Sequence, residues 1–226
     1  MNLLLLVSLL EIDLTTGQEV RRQWEPEKAI PVGSLSKPFL AFAYAQRHGF
    51  SFPKIRCHGC WKPGGHGELD IVRALALSCN RYFDVLRSQV PEEHLQAVVQ
   101  QFGLHHPERA EPEQLLHAYI ELYRRAEEPG VASILQGMRQ AARYGTAQAL
   151  GEDAYAKTGT APCTHQKRAP GDGLAVVLYP ASQPRRAVLV RVHGVPGSVA
   201  VRSAIKSLRS QSSTCRGCSS RTPQPK

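Results

Sequence analysis

The chain opens on an apolar run, MNLLLLVSLLEIDL, which suits a signal peptide, a membrane anchor or a buried strand. No basic segment or Ala-x-Ala site accompanies it, and Glu11 and Asp13 come too early for a spanning helix of ~20 residues. The pattern predicts a strand to Asp13, a turn through Thr15–Gly17 and a returning strand in QEVRRQW. Because this hairpin would begin inside a fold, we expect an upstream segment.

The middle of the chain has helical periodicity. An apolar run over 39–45, ended by Gly49, predicts a buried helix. A second pattern, ELDIVRALALSCNRYFDVLRSQV, predicts a helix with a break at 78–80. Its apolar face is formed by Leu69, Val72, Leu75 and Ala76. Further helices are predicted near 92–102, 112–126 and 131–149.

Three strand-like runs follow, DAYAKTGTA, DGLAVVLYP and RRAVLVRVHG, and then the helical pattern PGSVAVRSAIKSLRS. Strands and helices thus occupy separate stretches, which favours an α+β fold with an antiparallel sheet flanked by helices and an all-helical subregion. We predict one domain over residues 1–208. The Ser- and Arg-rich stretch 209–226 is predicted to be a disordered tail.

Composition agrees with one globular domain, since 42% of the 226 residues are hydrophobic and 21% are charged. The net charge of +9 suits polyanions in general. No DNA- or RNA-reading motif accompanies this charge, so we expect no nucleic-acid partner.

Candidate chemistry begins with the tetrad Ser-x-x-Lys, which occurs at Ser34, Ser51 and Ser203. Of the three, Ser34 begins a predicted buried helix, and the spacing places Lys37 one turn away on the same face. A Ser hydroxyl is a poor nucleophile until a base removes its proton. A Lys can be that base when burial or other cations lower its pKa.

Two more motifs follow in order, Ser78-Cys79-Asn80 and Lys157-Thr158-Gly159-Thr160. Asn occurs only twice in the chain, which makes Ser-x-Asn a more specific signal than its length suggests. Ser-x-x-Lys, Ser-x-Asn and Lys-Thr-Gly in this order are the motifs of penicillin-binding proteins and serine β-lactamases. The segments DLTTGQEV, PVGSLSKPF, GGHGELDIVRALALSCNRYF, RYGTAQAL, AKTGTA and VHGVPGSVAVRSA are family-like too. Over residues 11–208 the chain resembles a penicillin-binding-protein transpeptidase domain.

The resemblance implies an acyl-serine mechanism. Ser34 would attack the carbonyl between the two D-alanines of a peptidoglycan stem peptide, and Lys37 would take its proton. Ser78 would relay a proton to the leaving amine. Asn80 would hold the amide backbone of the substrate.

The third motif is implied to recognise the substrate. Lys157 would attract its terminal carboxylate and help to keep Lys37 deprotonated, and Thr158 and Thr160 would offer hydroxyl hydrogen bonds. Gly159 would let the substrate lie against the strand edge. Backbone N–H groups of Ser34 and Thr160 would form the oxyanion hole.

Several activities of the family stay open. Alternatives to D,D-transpeptidase are a D,D-carboxypeptidase, a β-lactamase like those of class D, and a β-lactam-binding sensor without turnover. No obvious carboxylate for deacylation by water stands out, and class D enzymes usually carry an apolar residue where Asn80 stands. Ala156 occupies a position where the family commonly has Gly.

Expected partners are stem peptides and β-lactams, and no cofactor is expected. The substrate class predicts an extracytoplasmic location, with membrane association through a missing upstream anchor.

Six cysteines remain, and two pairs form Cys-x-x-Cys motifs, CHGC and CRGC. Their separation far exceeds the ~15 to 20 residues of compact zinc modules, so no metal site is predicted. A disulfide stays open outside the cytoplasm. Cys79 and Cys163 are interpreted as small residues beside the cleft, and His66 as loop packing.

Overall fold

The computed structural model describes residues 7–24, 29–163 and 170–209. Its main sheet is antiparallel, with strand order β2-β1-β9-β8-β7. These strands are β1 (Val7–Asp13), β2 (Glu19–Gln23), β7 (Tyr155–Ala161), β8 (Asp172–Tyr179) and β9 (Arg186–His193). Two-stranded pairs are formed by β3 (Ile30–Pro31) with β6 (Arg109–Ala110) and by β4 (Ile55–Cys57) with β5 (Gly67–Leu69).

The helices are α1 (Lys37–Arg47), α2 (Ile71–Ala76), α3 (Asn80–Arg87), α4 (Glu92–Gln101), α5 (Pro112–Arg124), α6 (Val131–Arg143), α7 (Gly197–Ala200) and α8 (Arg202–Arg209). Short 3-10 turns cover Gly33–Ser36 and Gln148–Leu150. The predicted fold class is confirmed, because an antiparallel sheet is packed against helices that lie mostly between β2 and β7 in the chain.

Alternating residues of β8 show how the sheet is buried on both faces. Leu174 and Val176 belong to the larger apolar core with the helical region. Ala175 and Val177 belong to a smaller core that includes Val201 of the C-terminal helical segment. Helices therefore cover both faces of the sheet, and β7 stays at one edge with β8 as its neighbour.

The predicted N-terminal hairpin is confirmed for the described residues. The Asp13 carboxylate accepts hydrogen bonds from the amides of Thr15 (2.8 Å) and Thr16 (3.2 Å), which fixes the turn between β1 and β2. Residues 1–6 of the apolar run and the predicted tail beyond 209 lie outside the described residues. Among the described residues, no helix has the length and apolarity needed to cross a membrane.

Two predicted helix boundaries were wrong. Leu69 lies in β5, because the Asp70 carboxylate accepts the Arg73 amide at 2.8 Å and so caps α2 at its start. Helix α6 ends at Arg143, short of 149. After α6, Gly145 packs against Ala76, and a Cβ on Gly145 would lie 2.1 Å from the Ala76 carbonyl oxygen.

Candidate active site

Ser34 lies on the 3-10 turn that leads into α1, and its side chain is half-buried at the cleft. Gly33 has φ +52°, and a Cβ there would lie 2.5 Å from the Thr160 carbonyl oxygen. Only glycine allows this approach and conformation together. The turn carrying Ser34 therefore packs backbone to backbone against edge strand β7.

Lys37 begins α1 and is buried, with 8% of its surface exposed. Its Nζ donates to the Ser78 carbonyl oxygen (2.8 Å) and the Asn80 Oδ1 (2.7 Å), and lies 3.4 Å from Ser78 Oγ. The first motif is thus joined to the second by one buried amine.

Ser78 lies in the break between α2 and α3 and has φ +49°. The left-handed conformation is unfavourable for a residue other than glycine, so it is kept only where surrounding contacts hold it in place. Residues in this conformation cluster at functional sites. The neighbouring contacts are strong here, since Ser78 also accepts the Trp61 Nε1–H at 3.1 Å.

Lys157 is fully buried on β7. Its Nζ donates to Ser78 Oγ at 2.9 Å and to the Thr158 carbonyl oxygen at 2.7 Å. The Ser78 hydroxyl therefore lies between two amines, Lys37 and Lys157, and all three motifs meet at one oxygen.

Burial lowers the pKa values of Lys37 and Lys157. Desolvation lowers the pKa of Lys37 to about 8, although the nearby Cys79 and Asp84 oppose the shift. Desolvation and then the neighbouring Lys37 charge lower the pKa of Lys157 well below its ordinary value. Buried amines with lowered pKa values are suited to act as bases near neutral pH.

The cleft beside these groups has a volume of about 950 Å³, which is within the range of ligand sites. Its lining includes Ser34, Ser78, Asn80, Thr158, Gly159 and Thr160, together with Trp61, Lys62, Thr146 and Arg202. Residues of all three motifs thus face one cavity along the edge of β7, where an extended peptide can add as a further strand.

The third motif differs in detail from the sequence interpretation. A Cβ on Gly159 would lie 3.1 Å from Leu35 Cγ and from the Val32 carbonyl oxygen, so this glycine lets the Ser34 turn pack on β7. The Thr160 side chain accepts the Gly197 amide at 3.1 Å. Glycine at 159 is therefore needed for the packing of the Ser34 turn, a role that differs from the predicted one of leaving room for the substrate.

Sequence reasoning gave no role to Thr146 or Trp61. Thr146 lies in the segment RYGTAQAL, and its Oγ1 is 2.6 Å from Thr158 Oγ1. Trp61 is 54% exposed at the cleft mouth while its Nε1 contacts Ser78. The family-like segment was the available signal for Thr146, whereas nothing in the local pattern identified Trp61.

Replacing Thr146 with valine should slow acylation of the site ~2- to 10-fold, because one net hydrogen bond that orients Thr158 is lost. The measurement is the second-order rate of acylation by a labelled penicillin. Thr15→Val, in an exposed turn, is the control and should leave the rate unchanged. A Thr146→Val rate equal to wild type would show that this contact does not position Thr158.

Two groups of potential metal ligands occur among the described residues. Cys57, Cys60, His66 and Cys79 have ligand atoms within 4.8 Å of one another, and so do Cys163, Asp172 and His193. The first group combines one Cys-x-x-Cys pair with His66 and Cys79. Cys215 and Cys218, the other Cys-x-x-Cys pair, lie outside the described residues.

No protein-family model matches the sequence, and no curated protein matches it. Solved structures do. PBP2 of Pseudomonas aeruginosa, solved in complex with WCK 5153, superposes with a TM-score of 0.74 at 16% identity, covering 89% of this chain and 69% of that chain.

Two further structures are similar. The transpeptidase domain of the FtsI4 D,D-transpeptidase from Legionella pneumophila gives a TM-score of 0.64 at 16% identity, covering 88% of this chain and 86% of that one. The D,D-transpeptidase domain of a peptidoglycan glycosyltransferase from Eggerthella lenta gives 0.72 at 14% identity, covering 91% and 77%. The chain therefore has the fold of penicillin-binding-protein transpeptidase domains, as its motifs predicted.

Proposed function

We propose that this chain is an acyl-serine D,D-transpeptidase that acts on D-Ala-D-Ala stem peptides in peptidoglycan cross-linking and is acylated by penicillin. The observation that carries the proposal is the Ser78 hydroxyl held near both Lys37 (3.4 Å) and Lys157 (2.9 Å), beside Ser34 on the same cleft. A nucleophile, a buried base and a proton relay are the parts that acyl transfer requires.

In the acylation step, Ser34 Oγ attacks the carbonyl carbon between the two D-alanines while Lys37 Nζ takes the hydroxyl proton. Negative charge develops on the carbonyl oxygen, and backbone N–H groups of Ser34 and Thr160 are assigned to it. When the C–N bond breaks, the proton returns through Ser78 to the amine of the departing D-alanine. The product is an ester between Ser34 and the shortened stem peptide.

In the second step, the amine of another stem peptide attacks this ester. Its proton passes to Lys37, the new amide bond forms as the ester C–O bond breaks, and Lys37 returns the proton to the Ser34 oxygen. If water replaces the amine, the same intermediate yields carboxypeptidase activity.

The substrate is proposed to lie along β7. Its terminal carboxylate would be recognised by Lys157 together with the hydroxyl groups of Thr158 and Thr160, and Arg202 and Lys62 add positive charge to the cleft lining. Asn80 would contact the amide backbone of the stem peptide.

The polar contact at Asn80 favours a transpeptidase over an enzyme like the class D β-lactamases. Asn80 Oδ1 accepts the Lys37 amine at 2.7 Å, a contact that an apolar side chain could not make. Because peptidoglycan lies outside the cytoplasmic membrane, the proposed activity is an extracytoplasmic one.

A stem-peptide assay tests the reaction. The protein is incubated with a peptide ending in D-Ala-D-Ala, with and without an amine acceptor that mimics a second stem. We expect repeated release of D-alanine and an acceptor-dependent cross-linked product, and Ser34→Ala should form neither. Ser51→Ala, which alters the serine of another Ser-x-x-Lys tetrad, should behave as wild type.

The same assay separates the alternatives. Release of D-alanine with no product on the acceptor would indicate a carboxypeptidase, and a single acylation without turnover would indicate a sensor. Release that persists in Ser34→Ala would contradict the proposed mechanism.

A further inference from the structure

We propose that Cys57, Cys60, His66 and Cys79, here called the thiol cluster, bind one zinc ion as a structural site directly behind the Ser-x-Asn motif. The four side chains come from three separate stretches of the chain. Three thiols and one imidazole make up one of the usual ligand sets of structural zinc.

The fold brings the first three ligands together through the β4–β5 pair. Cys57 ends β4 and pairs with Gly67 of β5, while Cys60 and His66 lie in the loop between the strands. The loop is tight, because a Cβ on Gly65 would lie 2.1 Å from the Cys57 carbonyl oxygen and the His66 amide donates to that oxygen at 3.1 Å. His66 is thereby directed back toward Cys57 and Cys60.

Cys79 completes the thiol cluster from the other side. It is the residue before α3, has no exposed surface, and has its amide bonded to the Ala74 carbonyl oxygen at 3.0 Å. Its position is thus set by α2 and α3, independently of the β4–β5 loop.

The distances suit a tetrahedral zinc ion. His66 Nδ1 lies 3.7 Å from Cys57 Sγ and 3.3 Å from Cys60 Sγ, and all four ligand atoms lie within 4.8 Å of one another. Zinc bonds of ~2.3 Å to sulfur and ~2.1 Å to nitrogen at tetrahedral angles separate such ligand atoms by about 3.6 Å. Little movement is therefore needed to close the site on a metal.

The other group of potential ligands is a poorer candidate. It offers three donors, and His193 Nδ1 is already 2.8 Å from Asp172 Oδ1 while Cys163 Sγ approaches that same nitrogen at 3.6 Å. The same His193 nitrogen thus makes both contacts, which is the geometry of a His–Asp hydrogen bond with a thiol nearby. Cys163 therefore provides a matched control for Cys60, since both are half-buried cysteines in groups of potential ligands.

The place of the thiol cluster in the fold gives the metal a specific task. Cys79 is flanked by Ser78 and Asn80, whose oxygen atoms accept hydrogen bonds from Lys37. With four protein ligands the site has no open position, so the ion would act as a cross-link and not as a Lewis acid. It would tie the β4–β5 loop to the start of α3 and hold the Ser-x-Asn motif in place.

The test measures metal directly and does not depend on the proposed enzymatic function. The full chain is produced with zinc in the medium, passed over a weak chelator and analysed for metal by mass spectrometry. About one zinc ion per chain is expected. Exchange for Co²⁺ should give the intense visible bands of a tetrahedral site together with thiolate-to-cobalt charge transfer.

Variants locate the site. Cys60→Ser and His66→Ala should each lower the affinity for zinc ~10- to 100-fold or more, while Cys163→Ser should retain it. If the first two fail to fold, alkylation of the wild-type protein replaces them. Cys60, the half-buried thiol of the cluster, should then be protected with zinc bound and react after strong chelation, with no change at Cys163.

Three results would overturn the proposal. They are a purified protein with free thiols that binds neither zinc nor Co²⁺, a Cys57–Cys60 disulfide in place of metal, and a metal ion that is lost in Cys163→Ser but kept in Cys60→Ser.

Discussion

Lys37→Ala should lower the rate of Ser34 acylation by ~10²- to 10⁴-fold at every ligand concentration, the usual contribution of a positioned general base. The reason is that Lys37 is the buried amine at the start of α1, three residues after Ser34, with its Nζ held by Ser78 and Asn80. The measurement is the single-turnover rate of labelling by a fluorescent penicillin. Lys54→Ala, in the exposed lysine of the second tetrad, is the matched control and should label at the wild-type rate.

The pH profile of the wild-type rate is a second readout of Lys37. The neutral amine is the proposed base, and burial lowers the pKa of Lys37 to about 8, so labelling should rise with pH and level off above about 8. A base with the ordinary lysine value of 10.5 would give a rate that still climbs past pH 9. That profile would show that the pKa of Lys37 is not lowered, and wild-type labelling by Lys37→Ala would show that another group activates Ser34.

Lys157→Ala should have the second largest effect, and the effect should depend on the ligand. Lys157 is fully buried with a strongly lowered pKa, and an incoming carboxylate would favour its charged form. The variant should therefore lose far more acylation rate with carboxylate-bearing ligands than with an ester analogue, since a binding contact matters only when its partner is present.

Some loss with the ester is expected as well, because the Lys157 amine also contacts Ser78 Oγ. Comparison of the two ligands on wild type and variant forms a thermodynamic cycle, analogous to a double-mutant cycle, with one change in the protein and one in the ligand. Equal losses with both ligands would mean that Lys157 acts only through Ser78 and takes no part in carboxylate recognition.

Much of the fold was predictable because its elements have strong local signals. Strand β8 is a continuous apolar run, and the turn after β1 carries Asp13 and Gly17. The break between α2 and α3 was also predicted, and the structure shows that it delivers Ser78 to Lys37. The meeting of the three motifs followed from their order and resemblance.

Other features depend on contacts between distant parts of the chain. Strands β3 and β6 have two residues each, too few to leave a periodic pattern, and exist because they pair. The end of α6 is set by the contact of Gly145 with Ala76, which no local pattern encodes. The thiol cluster was missed for a similar reason, because the spacing of Cys-x-x-Cys pairs says nothing about a loop that folds back onto Cys79.

Mass spectrometry of the full chain after incubation with a labelled penicillin tests the proposed nucleophile most directly. We expect one covalent adduct per chain, located on Ser34 in the digest, absent from Ser34→Ala and unchanged in Ser51→Ala. Label on Ser51 or Ser203, or well-folded protein that takes up no label, would contradict it.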